Sequence, residues 1–187
     1  MVVTECFIEG VKIIKPKIFG DSRGYFLESY NERSFAQSTG LNTQFVQDNE
    51  SFSRKGTLRG IHFQKPPYAQ AKLVRAITGS ILDIVVDLRV GSETFGKWHS
   101  EMLSSDNKHQ LFVPKGFGHG FIVLSESALF SYKVDNYYNS ESDSGIIWND
   151  EDLGIKWQID NDHIILSQKD NNQPSLQDYL KFPVFNL

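Results

Sequence analysis

The chain has 187 residues, 40% of them hydrophobic and 22% charged, with a formal net charge of −4. That size and balance fit one globular domain with a sizeable core and exclude a disordered chain, and the lack of any basic stripe argues against nucleic-acid binding. The single cysteine, Cys6, excludes an intrachain disulfide and a cysteine-based zinc site; the N-terminus holds no long apolar run, so the expectation is a soluble, cytoplasmic protein with no membrane span.

In chain order the pattern is one of short β-like runs punctuated by Gly, Asn, Asp and Ser, which predicts an all-β barrel or jelly roll. Residues 10–14 read as a strand ending at Pro16. Residues 21–24 read as a turn and 25–30 as a strand. Asn31 is placed to cap a short helix over 31–37, with Glu32 in its first turn. Residues 45–47 read as strand and 49–56 as a polar loop. The clearest hairpin spans 72–88, with Gly79-Ser80 as a Gly-first turn that pairs Thr78 with Ile81, Ala76 with Asp83 and Lys72 with Asp87. Alternation then puts Lys72, Val74, Ala76, Asp83, Val85 and Asp87 on one face. Leu73, Arg75, Ile77, Leu82, Ile84, Val86 and Leu88 share the other, which must pack in a core. The first face suits either a solvated exterior with a Lys72–Asp87 ion pair or a polar barrel lumen. Further strands are expected over 98–103, 110–113, 121–124, 129–134, 146–148 and 155–157. Ser175 is placed to cap a brief helix that ends before Pro183.

Four polar residues stand among apolar neighbours in strand-like runs: His62, Lys72, His119 and Tyr132. Pointed into one barrel, they supply a base, an anion stabiliser and an acid, the equipment for removing a proton next to a carbonyl. His62 needs an aspartate to orient its second nitrogen, and Asp170, Asp83 and Asp87 are all candidates. An inward lysine needs an anion, such as an enolate or a phosphate. Tyr132 is in phase with Phe130 and Val134, so its phenol faces inward as a protonated acid. Arg23 and Arg59 suit an anionic ligand. Strict alternation turns Arg59 away from His62, unless Gly60 marks a bulge or Arg59 serves a neighbouring subunit. No histidine has a near histidine partner, so no metal site is expected, and His99 and His109 read as surface residues. No Walker loop, dinucleotide fingerprint or serine-hydrolase elbow occurs.

The runs DSRGYFLESYNE, QDNESFSRKGTLRGIHFQ, AQAKLVRAITGSILDIVVDLRVGSETFGKW, LFVPKGFGHGFIVLSE, YKVDNYY, IIWND and LSQKD, in this order, resemble the dTDP-4-dehydrorhamnose 3,5-epimerases over nearly the whole chain. The resemblance implies a cupin-type jelly-roll barrel with short peripheral helices, one domain over 1–187 with its core at about 7–160 and a tail over 161–187. It implies a homodimer that uses no cofactor and no metal. The implied reaction is C3 and C5 inversion of dTDP-4-dehydro-6-deoxy-D-glucose through an enolate. The alternatives are a single-centre relative acting at C3 or C5, a non-catalytic nucleotide-sugar-binding barrel and a metal-dependent barrel enzyme. Carried over by residue, His62 is the base and Asp170 its partner, Lys72 holds the enolate oxygen and Tyr132 is the acid. Arg23, Phe26, Glu28, Gln47, Asp48, Asn49 and Arg59 contact the nucleotide diphosphate, and His119, Tyr138, Asp143 and Lys169 complete the site. Asp143 stands where the family often has glutamate.

Overall fold

The computed structural model describes residues 1–187. Thirteen strands and three short α-helices follow one another as β1 (Val2–Glu5), β2 (Lys12–Lys15), β3 (Ile18–Asp21), β4 (Gly24–Leu27), α1 (Glu32–Thr39), β5 (Gln47–Arg54), β6 (Leu58–Gln64), β7 (Lys72–Thr78), β8 (Ser80–Asp87), β9 (Trp98–Ser104), β10 (Gln110–Val113), β11 (Phe117–Val123), β12 (Ser127–Val134), β13 (Asp143–Gly145), α2 (Gln168–Asn171) and α3 (Leu176–Lys181). Two antiparallel sheets face each other, one ordered β1-β2-β10-β7-β12-β5 and the other β13-β6-β11-β8-β9. This is a jelly roll, in which crossing between two sheets buries both inner faces.

The predicted 72–88 hairpin does not form. β7 pairs with β10 and β12, whereas β8 pairs with β11 and β9. The Gly79 turn carries the chain from one sheet to the other. Gly79 has φ +73°, and a Cβ there would lie 2.1 Å from the Ser127 carbonyl oxygen, so the crossing requires glycine. The two predicted faces survive the change of pairing. Val74, Ala76, Ile81 and Val85 pack between the sheets with Phe121 and Phe130. Leu82, Ile84, Val86 and Leu88 pack outward, under a cover made of the C-terminal segments. Leu73 packs outward from the other sheet, against Phe35 of α1. Of the two readings left open for the first face, the Lys72–Asp87 pair is absent, because Asp87 is buried and accepts from Arg89, Ser92 and Thr94.

Asn31 caps α1 and Ser175 caps α3 as expected. The predicted loop over 49–56 is instead most of β5. The apolar triplets at 146–148 and 155–157 are not strands. Ile146, Trp148, Ile155 and Trp157 form irregular cover over the outer face of the second sheet, held in part by the Trp157 indole N–H donating to the Trp148 carbonyl at 2.9 Å. His99 and His109, expected at the surface, are half-buried on either side of Glu101. No helix is long and apolar enough to cross a membrane.

Candidate active site

A cavity of about 310 Å³ opens between the sheets. One wall is Arg59 and His62 of β6 with His119 and Phe121 of β11. The facing wall is Ser51 of β5, Lys72 of β7, and Phe130 and Tyr132 of β12. Ser167, Lys169 and Asp170 close it from the start of α2. Seven of the predicted site residues therefore meet in one place. Phe121 and Phe130, with ring centroids 4.3 Å apart, give the polar groups an apolar backing, and Tyr132 lies 5.6 Å beyond Phe130.

A bulge brings Arg59 into this set. His119 pairs with His62 and Phe121 with Arg59, so β6 spends three residues where β11 spends two. The extra residue resets the alternation and turns Arg59 to the side of His62. Gly60 makes the approach possible: φ is +134°, and a Cβ would lie 2.4 Å from the Gly120 Cα. Ser53 Oγ accepts from Arg59 Nε at 3.1 Å and steadies the guanidinium.

Asp170 is the partner of His62. The imidazole Nε2 meets Asp170 Oδ1 at 2.5 Å, and Ser167 Oγ donates to Asp170 Oδ2 at 2.7 Å. Ser167 also caps α2 by accepting from the Asp170 N–H, so one serine sets both the helix and the carboxylate. Burial pulls the Asp170 carboxyl upward, but the hydrogen bonds from His62, Ser167 and the Gly60 N–H outweigh it and hold the group below the usual carboxylate range. The other imidazole nitrogen, Nδ1, makes no protein hydrogen bond. A base with an ionised orienter behind it results.

Lys72 lines the cavity without a hydrogen-bond partner in the protein. Burial pulls its ammonium down to about 8, against the attraction of Asp83 and Asp143. Burial also pushes the Tyr132 phenol up, so it is protonated at neutral pH. His119 gives Nε2 to Asp83, at 2.9 and 3.1 Å from the two carboxylate oxygens.

The remaining predicted contacts divide. Tyr138 Oη donates to Asp143 Oδ2 at 3.0 Å, and Lys169 pairs with the same oxygen, so the shorter carboxylate reaches both side chains directly. Gln47 accepts from the Tyr138 N–H and donates to Asn49. Asp48 is turned to the other face of β5, where Lys133 pairs with it at 2.8 Å, and its side chain is not brought to the cavity. Arg23, Phe26 and Glu28 are also not brought there. They sit on or beside the β3–β4 hairpin, which joins neither large sheet. Arg23 pairs only with Asp21, and Phe26 is 67% exposed. The sequence reading missed Ser51, Phe121, Phe130 and Ser167 as cavity residues. The Ser167-x-x-Asp170 spacing of a helix cap was the available signal for the last. No three His, Cys, Asp or Glu side chains converge in a geometry that holds a metal ion.

A base and a phenol on facing walls, with an ammonium on the phenol's wall, can move protons at a carbon next to a carbonyl and hold the resulting oxyanion. A family model described as dTDP-4-dehydrorhamnose 3,5-epimerase matches residues 5–178. The chain belongs to the dTDP-4-dehydrorhamnose 3,5-epimerase family, a family of isomerases. It is 51% identical to the dTDP-4-dehydrorhamnose 3,5-epimerase of Escherichia coli K12, over 93% of this chain and 94% of that one. The crystal structure of the enzyme of that name from Elizabethkingia anophelis matches with a TM-score of 0.90 at 52% identity, covering 94% of this chain and 96% of that one. A dTDP-6-deoxy-D-glucose-3,5-epimerase from Legionella pneumophila, solved in complex with dTDP-4-keto-L-rhamnose, matches with a TM-score of 0.90 at 44% identity over 94% and 92% of the two chains.

Proposed function

We propose that the protein inverts C3 and C5 of dTDP-4-dehydro-6-deoxy-D-glucose to give dTDP-4-dehydro-L-rhamnose, without a cofactor. His62 takes the proton beside the C4 ketone through its free Nδ1, and Asp170 stabilises the imidazolium. The electron pair moves into the carbonyl, and the Lys72 ammonium holds the enolate oxygen. Tyr132 returns a proton to the opposite face of the same carbon, which inverts it, and solvent resets both groups. The same cycle serves the second centre on the other side of the ketone. Arg59 and Lys169 take the diphosphate; Gln47, Asn49 and Tyr138 take the nucleoside. The reading rests on one observation: His62 and Tyr132 line one ligand-sized cavity from facing sheets.

The working unit in this reading is a cytoplasmic homodimer. The support is the β3–β4 hairpin, whose Ile18, Phe19, Tyr25 and Phe26 are all exposed and which pairs with no other strand. A two-stranded ribbon with an apolar surface is marginal alone and gains from a partner. Arg23, Phe26 and Glu28 then reach the cavity of the second copy.

Proton NMR of the ketosugar nucleotide in heavy water tests the reaction. Deuterium enters at both C3 and C5 and the product has the inverted configuration; exchange at one position alone identifies a single-centre enzyme. Tyr132→Phe keeps exchange but lowers inversion by about 10²-fold or more. Full inversion by that variant removes Tyr132 as the acid.

A further inference from the structure

We infer that Asp83 is a positioning residue: by accepting the Nε2–H of His119 it fixes that imidazole with a bare Nδ1 toward the cavity, so that His119 accepts a hydrogen bond from a hexose hydroxyl. The inference rests on the ketosugar reading of the site and adds to it the polarity of one contact.

The geometry assigns the proton. Both Asp83 oxygens lie close to the same His119 nitrogen, at 2.9 and 3.1 Å. One N–H shared between two oxygens of a carboxylate has that form; a protonated carboxyl would put a single O–H on the ring. Asp83 is fully buried and makes no other hydrogen bond, so His119 is its one donor. Burial is the largest influence on the Asp83 carboxyl and pushes it up, with His119 and Lys72 pulling the other way, so the assignment stands on the two-oxygen contact. Burial pushes the His119 imidazole down against the pull of Asp83, with Lys72 and His62 adding to the fall, which favours the neutral ring; the contact of Nε2 with both Asp83 oxygens then assigns its one proton to Nε2.

The other nitrogen follows by elimination. His119 lines the cavity, and Nδ1 has no protein partner and is not sealed away from it. A bare imidazole nitrogen is an acceptor only. It repels a diphosphate oxygen, which has no proton to give, and suits a hydroxyl. The ring is held in place by stacking 6.2 Å from Phe130, and β11 pairs it with His62, so the acceptor lies beside the base. Asp83 itself does not line the cavity and acts through His119.

The first test needs no substrate. Nitrogen-15 NMR of histidine-labelled protein at neutral pH shows His119 with a protonated Nε2 and a bare Nδ1; a proton on Nδ1 overturns the assignment whether or not the enzyme turns over the ketosugar. The second separates acceptor from charge. Asp83→Leu removes the acceptor, lowers kcat/KM for the ketosugar by about tenfold to a hundredfold and leaves dTDP binding within about twofold. Asp83→Asn still accepts through its carbonyl and restores most of the loss. Equal loss in the two variants makes charge the determinant and overturns the assignment. The third uses unreactive dTDP-glucose with each hexose hydroxyl replaced in turn by hydrogen or fluorine. At one position fluorine, which cannot donate, weakens wild-type binding as much as hydrogen does. Fluorine retaining affinity at every position overturns the contact, and an absence of turnover with the first and third tests satisfied sinks only the proposed reaction.

Discussion

His62 and His119 face each other across β6 and β11, and each gives Nε2 to an aspartate, yet the two pairs sit in opposite surroundings. The His62 side chain is 27% exposed, and its Asp170 is held in the ionised form by a serine, a backbone N–H and the imidazole. The His119 side chain is 7% exposed, and its Asp83 is fully enclosed with no second donor. In the first setting the counter-ion is prepared and water is near. In the second both partners are desolvated, which disfavours charging the His119 ring. The same two residue types therefore give a base at one position and a fixed acceptor at the other. Burial and the number of donors around the carboxylate decide which.

The comparison breaks most readily at His62. Its replacement by alanine lowers both deuterium uptake and inversion by about 10³-fold or more, followed by NMR in heavy water; normal exchange in that variant moves the base elsewhere, with His119 the first suspect. Lys72, which lines the same cavity from the facing sheet, comes next. Its ammonium is pulled down to about 8, so kcat/KM falls as pH rises through about 8. Lys72→Met lowers the rate by about 10²-fold and abolishes that alkaline limb. The stability effect has the opposite sign. A lysine depressed in the folded state binds fewer protons there than in the unfolded chain between about pH 8 and the ordinary lysine range, so wild-type stability rises with pH across that window. Lys72→Met is accordingly more stable than wild type at pH 7, by about 1–2 kcal/mol in denaturant melts, with the gain shrinking above pH 8. The smallest effect sharpens the contrast in donors. Ser167→Ala removes both the α2 cap and a donor to Asp170, lowering stability by about 1 kcal/mol and activity several-fold. Unchanged activity there shows that Asp170 needs no second donor.

Much of this was legible in the chain. Two-residue alternation put Lys72, Val74, Ala76, Asp83 and Val85 on one side, and that side is the lumen. The partner strands were not legible. A Gly-first two-residue step looks alike whether it closes a hairpin or carries the chain across a sandwich, and only the rest of the fold distinguishes them. β5 was read as a loop because its alternate residues, Gln47, Asn49, Ser51 and Ser53, face a polar interior, while Asp48, Glu50 and Arg54 face out. With both sides polar, no hydrophobic period exists to find. Arg59 stayed open between a bulge at Gly60 and a neighbouring subunit, because a one-residue bulge leaves no mark except a glycine; the bulge is what forms. The choice among Asp170, Asp83 and Asp87 for His62 was open because each lies far along the chain. Coordinates separate them into an orienter, a tautomer anchor and a loop brace for Arg89, Ser92 and Thr94. Arg23, Phe26 and Glu28 were assigned to the nucleotide only by the resemblance, and they lie outside this cavity on or beside a hairpin that joins neither large sheet.

The barrel carries the imidazole, but its counter-ion arrives on a strap laid across the barrel from outside, in a four-residue helix near the far end of the chain. A ribosome must therefore have released residue 170 before the reaction can start. Until then Leu82, Ile84, Val86 and Leu88 also lack their cover, since Trp157, Leu176, Tyr179 and Phe185 come from the same end of the chain.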